Sequence, residues 1–152
     1  MDKADALILR QLKKDAGTAG SRLSEMVNLS VPAVNKRISK MKTEGVIRKA
    51  TVITDGKAIG KPVLVFVLVT VNELIDSNPE YQAMLEDEDV LECYAVSGDY
   101  DYILKIAAQD IDDFEGKLLR LRKNGVMKSQ TLMCLREYKF EAAALPEIPG
   151  KK

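Results

Sequence analysis

The side chains best equipped for chemistry lie between residues 31 and 49. Asn35, Lys36, Arg37, Ser39, Lys40 and Lys42 all offer hydrogen-bond donors, and no acid interrupts them before Glu44. Donors of this kind suit a polyanion. Arg and Lys neutralise phosphates, which positions a protein, while an Asn amide pairs with a base edge and reads sequence. Val34, Ile38 and Met41 run through the same stretch at the three- and four-residue spacing of one helical face. The polar set therefore lies off the buried stripe.

The preceding residues are the ones that must hold that helix. Leu23, Met26 and Val27 form the apolar stripe of a shorter helix, and Asn28 breaks it with a side chain that tolerates left-handed backbone. Ser30 is placed to cap the next helix, and Pro32 fits a first turn where its missing N–H goes unneeded. Two short helices around a tight turn, the second donor-rich on its outer side, make the layout of a helix-turn-helix that puts its second helix in the DNA major groove. An ordinary solvated helix shows the same periodicity; the absence of acids on the outer face is what favours DNA. Val31, Pro32, Asn35 and Lys36 are the expected base readers, and Arg37, Ser39 and Lys40 the expected phosphate contacts. An earlier helix, Asp2 to Lys14, is expected to bury Ala6, Leu7, Ile8 and Leu12, with Gly17 and Gly20 ending it. After Gly45, the β-prone run 46–54 reads as a short hairpin or wing whose Arg48 and Lys49 add phosphate contacts.

The chain holds 23 Lys and Arg against 23 Asp and Glu, which on its face argues against a polyanionic partner. The charge is segregated, however. Residues 1–61 carry a net +7 and residues 62–152 a net −7, as expected for a basic module joined to an acidic one with another task. Histidine is absent, which excludes a His-based triad and any His-containing metal site. Cys93 and Cys134 stand far apart in apolar runs, where free cysteine acts as a small core residue. With no signal peptide visible, a reducing cytoplasm, no disulfide, no metal and no cofactor are expected. The longest apolar run, 63–71, is about half a membrane helix.

The second half alternates strand, helix, strand, strand, helix, strand. Strands are expected at 62–71, 90–97, 102–107 and 126–138. A helix opens at a capping box, Ser77 to Glu80, and runs to about Glu88; a second is capped by Asp110, carries Ile111, Phe114, Leu118 and Leu121 on one face, and ends at Gly125. This is the ferredoxin-like βαββαβ order, so the fold class is α+β: a winged helix-turn-helix at 1–54, a linker at 55–62, the βαββαβ domain at 63–145 and a loose tail at 146–152. Because the first strand is apolar on both faces, the sheet needs cover on the side away from its helices. A second copy of the chain is the simplest cover, giving a homodimer.

Taken together, these halves resemble the Lrp/AsnC, or feast/famine, family of transcription regulators over nearly the whole chain. The residues that carry the resemblance are Asp5 to Asp15 (DALILRQLKKD), Leu23 to Ile47 and, most specifically, the run Ser97-Gly98-Asp99-Tyr100-Asp101-Tyr102. Asn28 stands where the family usually has Gly, and Ser129 where it often has Thr. The resemblance implies dimers assembling further, commonly to an octamer, in the cytoplasm on the nucleoid. It also implies an amino-acid effector held between dimers near the signature turn, making Ser97, Gly98, Asp99, Tyr100 and Asp101 effector candidates. Turning backbone at Gly98-Asp99 offers N–H groups to a carboxylate, and the Asp99 or Asp101 carboxylate suits an ammonium. Ser129 and Thr131 share one side of the last strand and add hydroxyls, while Met133 beside Leu132 and Val96 lends an apolar lining that favours leucine or methionine. A Gly-Asp pair also suits a plain tight turn with no ligand.

The expected function is thus a sequence-specific regulator on double-stranded DNA, tuned by an amino acid. Two alternatives stand beside it: an architectural protein wrapping DNA with little preference, and a small-molecule-binding enzyme-regulatory subunit. Against catalysis, the sequence offers no nucleophile–base pair, no metal cluster and no phosphate-cradling glycine loop.

Overall fold

Side-chain caps open the first and third helices. The computed structural model describes residues 1–72 and 78–150. Helix α1 (Lys3–Lys14) starts from a reciprocal box: the Asp5 N–H donates to the Asp2 carboxylate, and the Asp2 N–H to that of Asp5. Ala6 and Ile8 are fully buried, whereas Leu7 is only half-buried and Leu9 and Leu12 pack in its place. Helix α2 (Gly20–Val27) begins at Gly20, which therefore does not end α1 as expected. A Cβ on Gly20 would sit 3.3 Å from Val31 Cγ1 and 3.4 Å from Asn35 Oδ1, a close approach where α2 meets the next helix. Asn28 turns the chain with φ +53°, left-handed as its type allows. Helix α3 (Val31–Thr43) is capped by Ser30, whose hydroxyl accepts from the Ala33 N–H at 3.4 Å. Ile8, Leu23, Val34 and Met41 close the core among them, with Ile38 and Ile47 packed against it.

The expected wing differs. Residues 48–55 form neither strand nor turn, and Val52 and Ile53 stand exposed. A β-prone run makes a ladder only against a partner strand, and among the described residues nothing pairs with it. The tail differs too: residues 139–150 group with residues 1–53 rather than hanging free. The Arg10 guanidinium donates to the Pro146 carbonyl at 2.9 Å, and Lys13 pairs with Glu141 at 2.5 Å.

Residues 54–138 form the second unit. Its elements are β1 (Val63–Val71), α4 (Pro79–Leu85), β2 (Val90–Ala95), β3 (Tyr102–Ala108), α5 (Ile111–Lys123) and β4 (Val126–Met133). All strand pairings are antiparallel, in the order β2-β3-β1-β4. Val65, Val67 and Val69 face α4 and α5 in a core with Leu104, Ile106, Tyr81, Phe114 and Leu121. Leu64, Phe66 and Leu68 alternate to the other face, where neither helix covers them. Asp110 caps α5 as expected, accepting from the Asp113 N–H at 2.8 Å. Helix α4 ends at Leu85 rather than Glu88, and the expected cap at Ser77 lies outside the described residues. Strand β4 stops at Met133, five residues short of expectation, because its last ladder bond runs from the Cys134 N–H to the Leu64 carbonyl, near the start of β1.

Candidate nucleic-acid interface and ligand turn

Helix α3 buries Val34 and Met41, and that fixes what it shows outward. Val31, Pro32, Asn35, Lys36, Ser39 and Lys40 are all exposed, along one side of the helix and over its first three turns. Lys40 sits 3.7 Å from Glu44, an exposed pair that is worth little and opens easily. Arg48 and Lys49 are exposed on the strandless segment after the helix.

Arg37 departs from the phosphate role expected of it. Its NH1 lies 2.6 Å from Asp2 Oδ2 and 2.8 Å from Asp5 Oδ1. The Asp5 bond first, then that of Asp2, raises the guanidinium pKa further still. The Asp5 backbone N–H, followed by Arg37, holds the Asp2 carboxyl below its ordinary value. Two carboxylates neutralise this cation, so Arg37 ties the start of α1 to α3. The use of Asp2 and Asp5 as a clamp for an arginine 32 positions away from Asp5 was not visible in the sequence.

The signature turn is built around Asp101. Its N–H donates to the Val69 carbonyl at 2.9 Å, its carbonyl accepts from Val96 at 2.9 Å, and its Oδ2 accepts from the Val71 N–H at 3.0 Å. Asp101 thus pins the turn to the end of β1. Gly98 has φ +124°, a conformation that excludes side chains, and Ser97 and Asp99 are exposed. Tyr100 donates to Gln130 Oε1 at 3.1 Å, and Lys128 Nζ stands 4.6 Å from the centre of its ring.

Strand register divides the expected effector group. Ser129, Thr131 and Met133 lie beside Val69, Val67 and Val65, on the helix side of the sheet, whereas Lys128, Gln130 and Leu132 lie beside Thr70, Leu68 and Phe66 on the other. Tyr100 joins the second set. Within one chain it therefore meets Lys128 and Gln130, not the hydroxyls, and Ser129 is instead reached by Arg122 at 3.5 Å. Sequence reading chose a parity of β4 by its hydroxyls; the partner of Tyr100 decides which parity faces the turn.

A second charged cluster escaped the sequence altogether. Lys117, almost buried, pairs with Asp89 at 2.8 Å and Asp113 at 3.1 Å, and Lys61 also bonds Asp89. Burial alone would raise the Asp89 pKa, but the Lys117 and Lys61 bonds outweigh it and hold it low. Lys117 is raised, its burial being outweighed by Asp89 and Asp113. Burial pushes the Cys93 thiol up. Among the described residues no helix is long and apolar enough to cross a membrane, and no three His, Cys, Asp or Glu are gathered to hold a metal.

A donor-faced helix on a three-helix core, followed in the chain by a ferredoxin-like sheet domain, is the architecture of a DNA-binding regulator. Comparison with known proteins agrees part by part: a winged helix-turn-helix DNA-binding family matches residues 1–48, and the Lrp/AsnC ligand binding domain matches residues 64–144. The chain belongs to the Lrp/AsnC family of transcriptional regulators. It is 32% identical to the leucine-responsive regulatory protein of Salmonella typhimurium over 144 residues, 91% of this chain and 87% of that one. Among solved structures it resembles a transcriptional regulator of Neisseria meningitidis in complex with L-methionine (TM-score 0.85, 25% identity, 95% and 96% of the two chains). It also resembles a feast or famine regulatory protein of M. tuberculosis complexed with L-methionine (TM-score 0.84, 26% identity, 95% and 99%).

Proposed function

We propose that this regulator reads specific DNA sites as a homodimer or larger assembly, and that an apolar amino acid near the turn 97–101 tunes its assembly or affinity. The observation that carries the DNA half is the exposed run Val31, Pro32, Asn35, Lys36, Ser39 and Lys40, backed by a fully buried Val34. Val31, Pro32, Asn35 and Lys36 come earliest on α3 and address base edges; Ser39, Lys40, Arg48 and Lys49 address phosphates. For the sensory half, Asp99 precedes Tyr100 in the turn and Lys128 Nζ lies 4.6 Å from the Tyr100 ring centre, opposite charges of the kind the ammonium and carboxylate of an amino acid require. Relatives bound to L-methionine make methionine and leucine the first choices. The half-buried face of Leu64, Phe66 and Leu68 supports pairing with a second copy.

Titration of an operator duplex and a random duplex at several salt concentrations tests the DNA half. Lys40→Ala is expected to weaken both equally and to lower the slope of log K against log salt by about one. Asn35→Ala is expected to weaken the operator alone, by roughly 1–3 kcal/mol, relaxing preference at one base pair. Equal losses on both duplexes for both variants would overturn sequence reading and favour an architectural wrapping role. Calorimetry of ligand-free protein with L-methionine and L-leucine tests the sensory half, which fails if neither gives heat.

A further inference from the structure

We propose that the groove between α4 and α5 is a second small-molecule site, taking one apolar α-amino acid per chain. Its floor is apolar, made by Met84, Val90, Ile106 and Leu121, and its rim carries Asp87, Arg120 and Asn124. Opposite charges above an apolar floor match a molecule that presents an ammonium and a carboxylate on the carbon bearing its side chain. Lys117 also borders the groove, but its ammonium is already matched by Asp89 and Asp113. Arg120 is different. Its side chain is 63% exposed and stands 3.8 Å from Asp87 Oδ2, a long pair that opens at little cost. Asp87 Oδ1 accepts from the Asp89 N–H at 2.9 Å, which aims the remaining oxygen at Arg120. An amino acid seated between them replaces one loose pair with two charge-assisted contacts, ammonium to Asp87 and carboxylate to Arg120.

Size narrows the class. The cavity measures about 190 Å³. A cavity of roughly 150 Å³ holds benzene, so a branched four-carbon side chain fits, while nucleotides and other ligands needing the usual 300–1,000 Å³ or so do not. The groove is also separate from the signature turn. Val90 pairs with Ile106 at one end of the β2–β3 ladder and Ala95 with Tyr102 at the other, roughly 13 Å along the strand at the usual rise per residue. The choice of an amino acid as occupant rests on the reading above that this regulator answers amino acids.

Methyl NMR of the intact protein labelled on its methionines, titrated with L-leucine, tests the site, because Met84 lines the groove. The Met84 methyl signal, assigned with Met84→Leu, is expected to shift saturably. It should still shift in Asp99→Asn, which alters the turn, and Arg120→Gln should raise the concentration needed at least tenfold. Neither 4-methylpentanoate nor 3-methylbutylamine, each lacking one charge, should move it. Heat from L-leucine with Met84 unmoved would overturn the groove and leave the turn as the sensor. Neither heat nor movement would overturn both. Movement that persists unchanged in Arg120→Gln, or that 4-methylpentanoate reproduces, would show an apolar cleft without zwitterion recognition and overturn the proposal on its own.

Discussion

Arg37 illustrates how a single residue's partners decide its role. It is cationic, follows Lys36 and lies on the helix that presents Asn35 and Lys40, yet Asp2 and Asp5 neutralise it at 2.6 and 2.8 Å. A neutralised cation releases no counterion from DNA, so Arg37→Ala is expected to leave the salt slope unchanged, in contrast to Lys40→Ala. Binding isotherms at four or five salt concentrations separate the two; a slope that falls by about one for Arg37→Ala would return it to the phosphate set. Residue types alone made Arg37 and Lys40 look alike. Asn28 was readable where Arg37 was not, since its left-handed turn is local and follows from one side chain. A clamp joining residues 2, 5 and 37 is tertiary, and no spacing announces it.

At the scale of elements, what was legible is what the chain encodes within a few residues. The starts of α3 and α5 followed from Ser30 and Asp110, each a cap whose partner lies three positions on; that of α2 did not, since Gly20 opens the helix it was expected to precede. Strand ends were not, because a strand lasts only as long as its neighbour: 46–54 lacks one, and β4 runs out where β1 begins. The cluster that joins the start of β2 to α5 draws on residues 61, 89, 113 and 117, scattered over 57 positions, and could not be read ahead. It now makes a prediction. Asp89 has its pKa lowered, so the stability it lends is complete above about pH 4 and is lost as pH falls through the depressed value. Lys117 has its pKa raised, so its share is complete below about pH 10.4 and is lost only as pH rises through the elevated one. Urea unfolding should show a plateau between those limits with a fall on either side. Asp89→Asn should lower stability by about 2 kcal/mol at neutral pH, since it leaves Lys117 nearly buried with one partner fewer, and should flatten the acid fall. An unchanged acid limb in that variant would remove Asp89 from the account.

For the whole molecule, the deciding surface is the sheet face that α4 and α5 leave uncovered. Phe66 lies at its middle, registered between Leu132 of β4 and Lys105 of β3, with Leu64 and Leu68 along its own strand. Tyr94 and Leu132, more than 40% exposed, extend the apolar area to both edge strands. Its counterpart across the sheet is the Val65, Val67 and Val69 core, so Phe66 contributes to a face the single chain does not need in order to fold. Phe66→Asp places a charge where a second copy would bury an aromatic ring, and burying that charge unpaired costs more than association returns. The variant is therefore expected to keep the circular dichroism of the native fold while its mass in sedimentation falls to one chain. DNA binding should fall with it, by about 10²–10⁴, because the second recognition helix is no longer held at high effective concentration beside its half-site. The salt slope should drop to roughly half, since one module contacts about half the phosphates. That last measurement separates a lost partner from a damaged one: a misfolded variant loses affinity with no defined slope, whereas a lone intact chain binds weakly and still releases its own share of counterions. If Phe66→Asp keeps its full mass, the copies meet through some other surface, and the pairing proposed for this face is wrong.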